Sequence, residues 1–203
     1  MADDRSLLPT DLAALVGSRL CHDLISPLGA IGNGVELLAM SGGGGASPEL
    51  QLIAESVANA NARLKFFRVA LGQAGAEQRL GQPEIVAILA DLARGGRHSY
   101  DWQAPGDQPR REVKSVFLAL LCLEAALPWG GTVTFAHTNG DWFVHATAPR
   151  TKPDPGLWAR LDGAAGAALA PAQVQFALLP LELASLGRRV AWEISETGAT
   201  IRF

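Results

Sequence analysis

Leu50, Ile53, Val57, Ala60, Leu64, Phe67 and Leu71 follow one another at alternating spacings of three and four residues. A strand repeats every second residue and cannot produce that interval, whereas an α-helix with an apolar seam does. Upstream, Leu12, Leu15, Val16, Leu20, Leu24, Leu28, Ile31, Val35 and Leu38 recur at spacings of three and four inside residues 10–40, a stripe wider than one partner helix would cover. Thr10 and Asp11 supply an N-cap and an acidic first turn for this helix. Pro27 inside it should loosen or kink it, because proline removes one backbone donor. Ser41-Gly42-Gly43-Gly44-Gly45-Ala46 reads as a flexible loop, and Ser47-Pro48-Glu49 as the cap, first turn and acidic start of a second helix. Two helices joined by a short loop form an antiparallel hairpin. One hairpin leaves apolar surface uncovered, and two together make a four-helix bundle, so a homodimer through residues 10–72 is expected.

Gly72-Gln73-Ala74-Gly75-Ala76 breaks the pattern and divides the chain into residues 1–74 and 75–203. Beyond it, residues 83–93 read as a short amphipathic helix ended by Gly95-Gly96, and 97–103 as a strand carrying Tyr100 and Trp102. Residues 109–127 form a strongly apolar helix with Val116, Phe117, Leu120, Leu121 and Leu123. Residues 132–138 and 142–147 flank Asn139-Gly140, the strongest short-range hairpin signal. After Pro149, Pro153 and Pro155 come an Ala/Gly-rich stretch read as helical, a helix over 171–186, and a second hairpin (189–194 and 199–203) around Glu196-Thr197-Gly198. This order predicts an α/β sandwich, a mixed sheet with helices on one face, and makes the whole chain α+β.

A net charge of −3 with no basic block argues against nucleic acid or an anionic membrane as partner. No 18-residue apolar run is free of polar residues, so no membrane span is expected. The N-terminal Met-Ala-Asp-Asp-Arg lacks the basic and apolar regions of a secretory signal, which points to the cytoplasm. Cys21 and Cys122 match no metal-ligand spacing and read as reduced, packed thiols. His98, His137 and His145 fall on expected strands, where a pairing of His137 with His145 would be structural; Trp129, Trp142, Trp158 and Trp192 are scattered and read as packing residues.

His22 is the residue that does not fit its surroundings. Leu20 and Leu24 each lie about 200° from it around a helix, so leucines that face a core turn His22 to water or to a partner. The run His22-Asp23-Leu24-Ile25-Ser26-Pro27-Leu28-Gly29-Ala30-Ile31 resembles the phosphoacceptor box of two-component histidine kinases. The second half resembles the ATP-binding (Bergerat, or GHKL) domain of those kinases, through residues 118–127, Gly130-Gly131-Thr132-Val133-Thr134-Phe135, residues 179–186 and the final hairpin. The nucleotide chemistry is missing. Leu120 and Glu124 stand where two asparagines would be, residues 149–154 where the adenine loop would be, and 163–168 in place of the phosphate loop. A leucine at the metal position removes an oxygen ligand that Mg²⁺ requires, so no ATP binding is expected.

A histidine box on a dimerising hairpin, joined to a nucleotide-free Bergerat-like domain, is similar to the alphaproteobacterial histidine phosphotransferases. That resemblance implies transfer of a phosphoryl group between receiver-domain aspartates of response regulators, including the receiver of a hybrid histidine kinase. It makes His22 the phosphoacceptor. Asp23 would bond the other ring nitrogen, and Arg19 and Ser26, one turn either side, would meet the phosphoryl group or the receiver. It also implies no cofactor or metal on this chain, Mg²⁺ belonging to the receiver. Three alternatives stay open: an ATP-dependent histidine kinase core, a non-catalytic adaptor that holds receivers, and a receiver phosphatase using the same bundle surface, which a Ser26 substitution would probe.

Overall fold

The most apolar helix becomes the axis of the molecule. In the computed structural model, which describes residues 9–40, 48–164 and 167–203, α4 (Arg110–Ala126) is buried along most of its length. Val113, Val116, Phe117, Leu120 and Leu123 are all fully inaccessible, because the helix is covered on one side by a sheet and on the other by helices. The 41–46 loop, the Ser47 cap and the side chains of Thr10 and Asp11 lie outside what is described.

Two long helices, α1 (Pro9–Met40) and α2 (Pro48–Ala70), form an antiparallel hairpin. A side chain on Gly34 would sit 2.5 Å from Ile53 Cγ1, so the missing Cβ is what lets the two backbones approach there. α1 runs on through Pro27 without a break. The α2 seam divides its labour: Phe67 is buried and Ile53 and Ala60 half-buried, while Val57 and Leu64 are 40% and 53% exposed.

The second half opens with β1 (Arg79–Leu80), α3 (Gln82–Ala93), β2 (His98–Trp102) and β3 (Gln108–Pro109), which precede α4. β4 (Gly131–Thr138), β5 (Asp141–Thr147), α5 (Pro155–Ala159), α6 (Gln175–Ser185), β6 (Ala191–Ile194) and β7 (Gly198–Arg202) follow it. Five strands form one sheet in the order β2-β4-β5-β7-β6, with only β2 and β4 parallel. Val133, Phe135, Trp142, Val144, Ala146, Ala199 and Ile201 alternate onto its buried face against α4. The mixed sheet with helices on one face is therefore as expected. β1 and β3 pair as a separate two-residue ribbon, too short to show as a pattern in the sequence.

Three expectations need correction. The Ala/Gly-rich stretch is not helical at its described residues. α5 and a 3₁₀ turn (Arg160–Asp162) form and stop at Gly163, and Gly163, Ala164, Ala167 and Ala168 lie outside any helix, because such small residues offer no apolar face to bury. The tight Asn139-Gly140 turn sets His137 opposite Trp142 and Thr134 opposite His145, so the two histidines do not pair; His137 stacks on Trp142 with ring centroids 4.6 Å apart. Trp129 is not a packing residue. It is 46% exposed, with the Arg150 guanidinium 3.8 Å above its ring.

The core does not stop at the boundary near residue 74. Phe66, Phe67, Val69 and Ala70 of α2 belong to the same buried cluster as α4 and the sheet, and Phe66 stacks on Phe117 at 4.7 Å. The hairpin is thus fixed to the second half by its own apolar residues, and this sets the orientation of the α1 turn that carries His22. Among the described residues, no helix is long and apolar enough to cross a membrane.

Candidate functional site

His22 projects from the middle of α1 with its side chain 76% exposed, while Leu20 and Leu24 turn inward and are half-buried. Its Nδ1 lies 3.0 Å from Asp23 Oδ1. An ionised carboxylate can only accept, so that nitrogen carries the proton, and the lone pair of the neutral ring is left on the outward Nε2.

Asp23 is the organising group, with a side chain only 9% exposed. Its Oδ2 accepts a hydrogen bond of 2.8 Å from Arg19 Nε, and Arg63 Nη1 of α2 stands 3.6 Å from the same oxygen. Arg19 does not reach out toward phosphate as the sequence suggested. It is 13% exposed, lies over the Phe67 ring, and donates through Nη1 to the Ala172 carbonyl and to Gln175 Oε1. Gln175 in turn donates to the Leu121 carbonyl of α4. One chain of polar contacts therefore runs from the histidine ring to the central helix of the second half. The interaction is worth more than a surface ion pair, because Asp23 would be left with a largely buried charge if Arg19 were removed.

Ser26 is exposed one turn beyond His22 and lines the same cleft, which has a volume of about 420 Å³. α2 contributes Asn59 and Arg63 to it, and the end of α3 and the turn after it contribute Asp91, Arg94, Gly95 and Gly96. Lys65, bonded to Asp91 at 2.9 Å, holds that carboxyl below its ordinary range against the opposing effect of burial, and Arg94 bonds it at 2.8 Å from the other side. Asn59, Arg63, Asp91 and Arg94 were not singled out from the sequence. For Arg63 a signal was there: it falls three residues after Ala60 and four before Phe67, the phase of α2 that faces α1.

At the two positions that the resemblance to kinases sets against asparagines, Leu120 is fully buried, and Glu124 accepts a hydrogen bond from Tyr100 Oη. Among the described residues no three His, Cys, Asp or Glu side chains gather as a metal site. Cys122 is buried, which pushes its thiol up, whereas Cys21 is exposed rather than packed.

A helical hairpin that presents an exposed, carboxylate-held histidine beside an α/β domain defines a class of histidine-bearing α+β proteins. The family described as histidine phosphotransferase C-terminal domain matches residues 82–198. The chain belongs to the histidine phosphotransferase family. Protein phosphotransferase ChpT of Brucella abortus (strain 2308) is 38% identical over 138 residues, which cover 67% of this chain and 65% of that protein, a little under two thirds of its length. A solved structure of a bacterial phosphotransferase superposes with a TM-score of 0.82 at 28% identity, covering 97% of each chain.

Proposed function

We propose that this chain is the histidine phosphotransferase of a bacterial phosphorelay, passing a phosphoryl group between receiver-domain aspartates through His22. The observation that carries the reading is the ring itself, exposed at the mouth of a cleft with Nδ1 on Asp23 and Nε2 outward.

The chemistry follows from that tautomer. Nε2 attacks the phosphorus of an aspartyl phosphate on the receiver. The N–P bond forms as the bond from phosphorus to the acyl oxygen breaks, and the aspartate leaves as carboxylate with the electron pair. The proton on Nδ1 stays in place, so the ring becomes cationic while the donor carboxylate takes up negative charge. Asp23 supports that developing cation. Reversal of the same step onto a second receiver completes the relay. Arg19 is a positioning residue that fixes Asp23, and Ser26 faces the incoming phosphoryl group or the receiver.

Residues 1–74 carry the acceptor, and residues 75–203 form a degenerate Bergerat-like domain without nucleotide. The buried Leu120 and the Tyr100-bonded Glu124 support that assignment over a kinase core. Mg²⁺ is supplied by the receiver and none by this chain. Partners are response-regulator receiver domains, that of a hybrid histidine kinase included, met in the cytoplasm. The apolar stripe left on the hairpin supports a homodimer closed as a four-helix bundle.

The test offers the purified protein radiolabelled ATP in one arm and a phosphorylated receiver domain in the other, with His22→Ala as control. Acid-labile, alkali-stable label from the receiver alone is expected. Label from ATP would restore the kinase, and no label from either donor would leave an adaptor.

A further inference from the structure

Of the two arginines that flank Asp23, only one is free to do anything else. Arg19 is 13% exposed and bonded to Asp23, Ala172 and Gln175. Arg63 is 47% exposed, and among the described residues its ion-pair partner is Asp23 alone, at 3.6 Å, beyond normal hydrogen-bond length. Arg94, the other cation of the cleft, is held by Asp91 at 2.8 Å. A guanidinium has five donors in a planar fork, the shape that matches phosphoryl oxygens two at a time. Those of Arg63 make no hydrogen bond among the described residues, and Arg63 lines the cleft that His22 also lines.

We infer that Arg63 is a catalytic residue of the transfer step, its guanidinium leaving the long contact with Asp23 to hold the phosphoryl oxygens as they pass to His22 Nε2. The inference rests on the transfer reading above. A phosphoryl group in flight spreads negative charge over its three equatorial oxygens, and such transfers are accelerated mainly by placed positive charge. Asp23 keeps its 2.8 Å bond to Arg19 when Arg63 moves, so the imidazole stays oriented while the second cation changes partner. This explains why one carboxylate should carry two arginines: one fixes it, and the other is stored on it. No proton moves and no further reactant is needed, since Arg63 contributes only hydrogen bonds and charge.

The experiment compares wild type, Arg63→Ala and Arg63→Lys with two phosphoryl donors. One donor is a phosphorylated receiver domain, varied in concentration, and the other is potassium phosphoramidate, which labels histidine without docking. With the receiver, Arg63→Ala should lower the rate constant at saturation about 100-fold, with the half-saturating concentration changed less than about threefold. Arg63→Lys should recover part of the loss, and labelling of His22 by phosphoramidate should slow in the same order. Thermal unfolding should be unchanged for so exposed a side chain. A saturating rate equal to wild type, or a loss seen only in half-saturation, would overturn the assignment and leave Arg63 a docking contact. Wild type that takes phosphate from phosphoramidate in an Arg63-dependent way, but never from a receiver, would sink the relay reading and spare Arg63.

Discussion

Tyr100 is the one tyrosine of the chain, so its ionisation can be followed by absorbance without assignment. Burial pushes its phenol well above the ordinary value near 10, and the adjoining Glu124 carboxylate adds to the effect while the charge of Arg63 opposes it weakly. The folded state thus holds the proton to higher pH than the unfolded chain does. The stability this contributes is complete below about pH 10 and is lost as pH rises past it. Tyrosinate absorbance should therefore appear only together with unfolding measured by circular dichroism, and a separate earlier titration in the folded protein would contradict the buried pair. On the transfer reading proposed above, Asp23 supports a charge of opposite sign. Asp23→Asn keeps an oxygen for the Nδ1 proton but removes the anion that offsets the cationic ring, so single-turnover transfer should slow by about 100-fold. A rate within twofold of wild type would make Asp23 an ordinary carboxylate. His22 and Asp23 were legible as residues because they are adjacent in the chain and break an apolar pattern. Arg63 was legible only as a position on the face of α2 turned to α1: its meeting with Asp23, forty positions upstream, is made by the hairpin and belongs to no motif.

Among the elements, those that announced themselves bury a periodic face or turn on a residue with special backbone freedom. Asn139 and Gly140 sit at φ of 55° and 87°, the left-handed pair that a two-residue hairpin needs. A side chain on Gly140 would touch nothing within 4 Å, so Gly140→Ala isolates backbone strain from packing. It should cost about 1–2 kcal/mol, read from the denaturant midpoint at unchanged slope. A loss much below that would mean the turn relaxes to another type. Elements without such a signal are not legible in the sequence. Residues 163–170 carry helix-forming alanines, yet Leu169 is the only large apolar side chain among them, and propensity alone does not hold a short helix in water. The α2 seam was read correctly as a helix but not as two unlike half-seams. Periodicity shows that a face is apolar and cannot say which neighbour covers each part of it.

At the scale of the molecule, two kinds of apolar surface decide what is one body and what becomes two. Phe66 is buried against Phe117, so hairpin and sheet share a core, and Phe66→Ala should cost about 3–5 kcal/mol while unfolding remains a single transition for both halves. Two separate calorimetric peaks would show that the halves are energetically independent. On the outside, Ile25, Leu28 and Val35 of α1 are 67%, 59% and 54% exposed, and Val57 and Leu64 of α2 are 40% and 53% exposed. Each buried leucine or valine contributes about 1.5–3 kcal/mol, so closing two such stripes on one another exceeds what micromolar association requires. Light scattering should therefore give a dimer, and Leu64→Glu, which sets a charge in the seam, should give a monomer. The groups that hold and flank His22 all lie on its own chain: Asp23 and Arg19 from α1, Arg63 from α2, Arg94 beside α3. The monomeric variant should thus still be labelled at His22 by phosphoramidate at close to the wild-type rate. A monomer that cannot be labelled would place part of the acceptor site on the second copy, and a wild type that stays monomeric at all concentrations would remove the bundle.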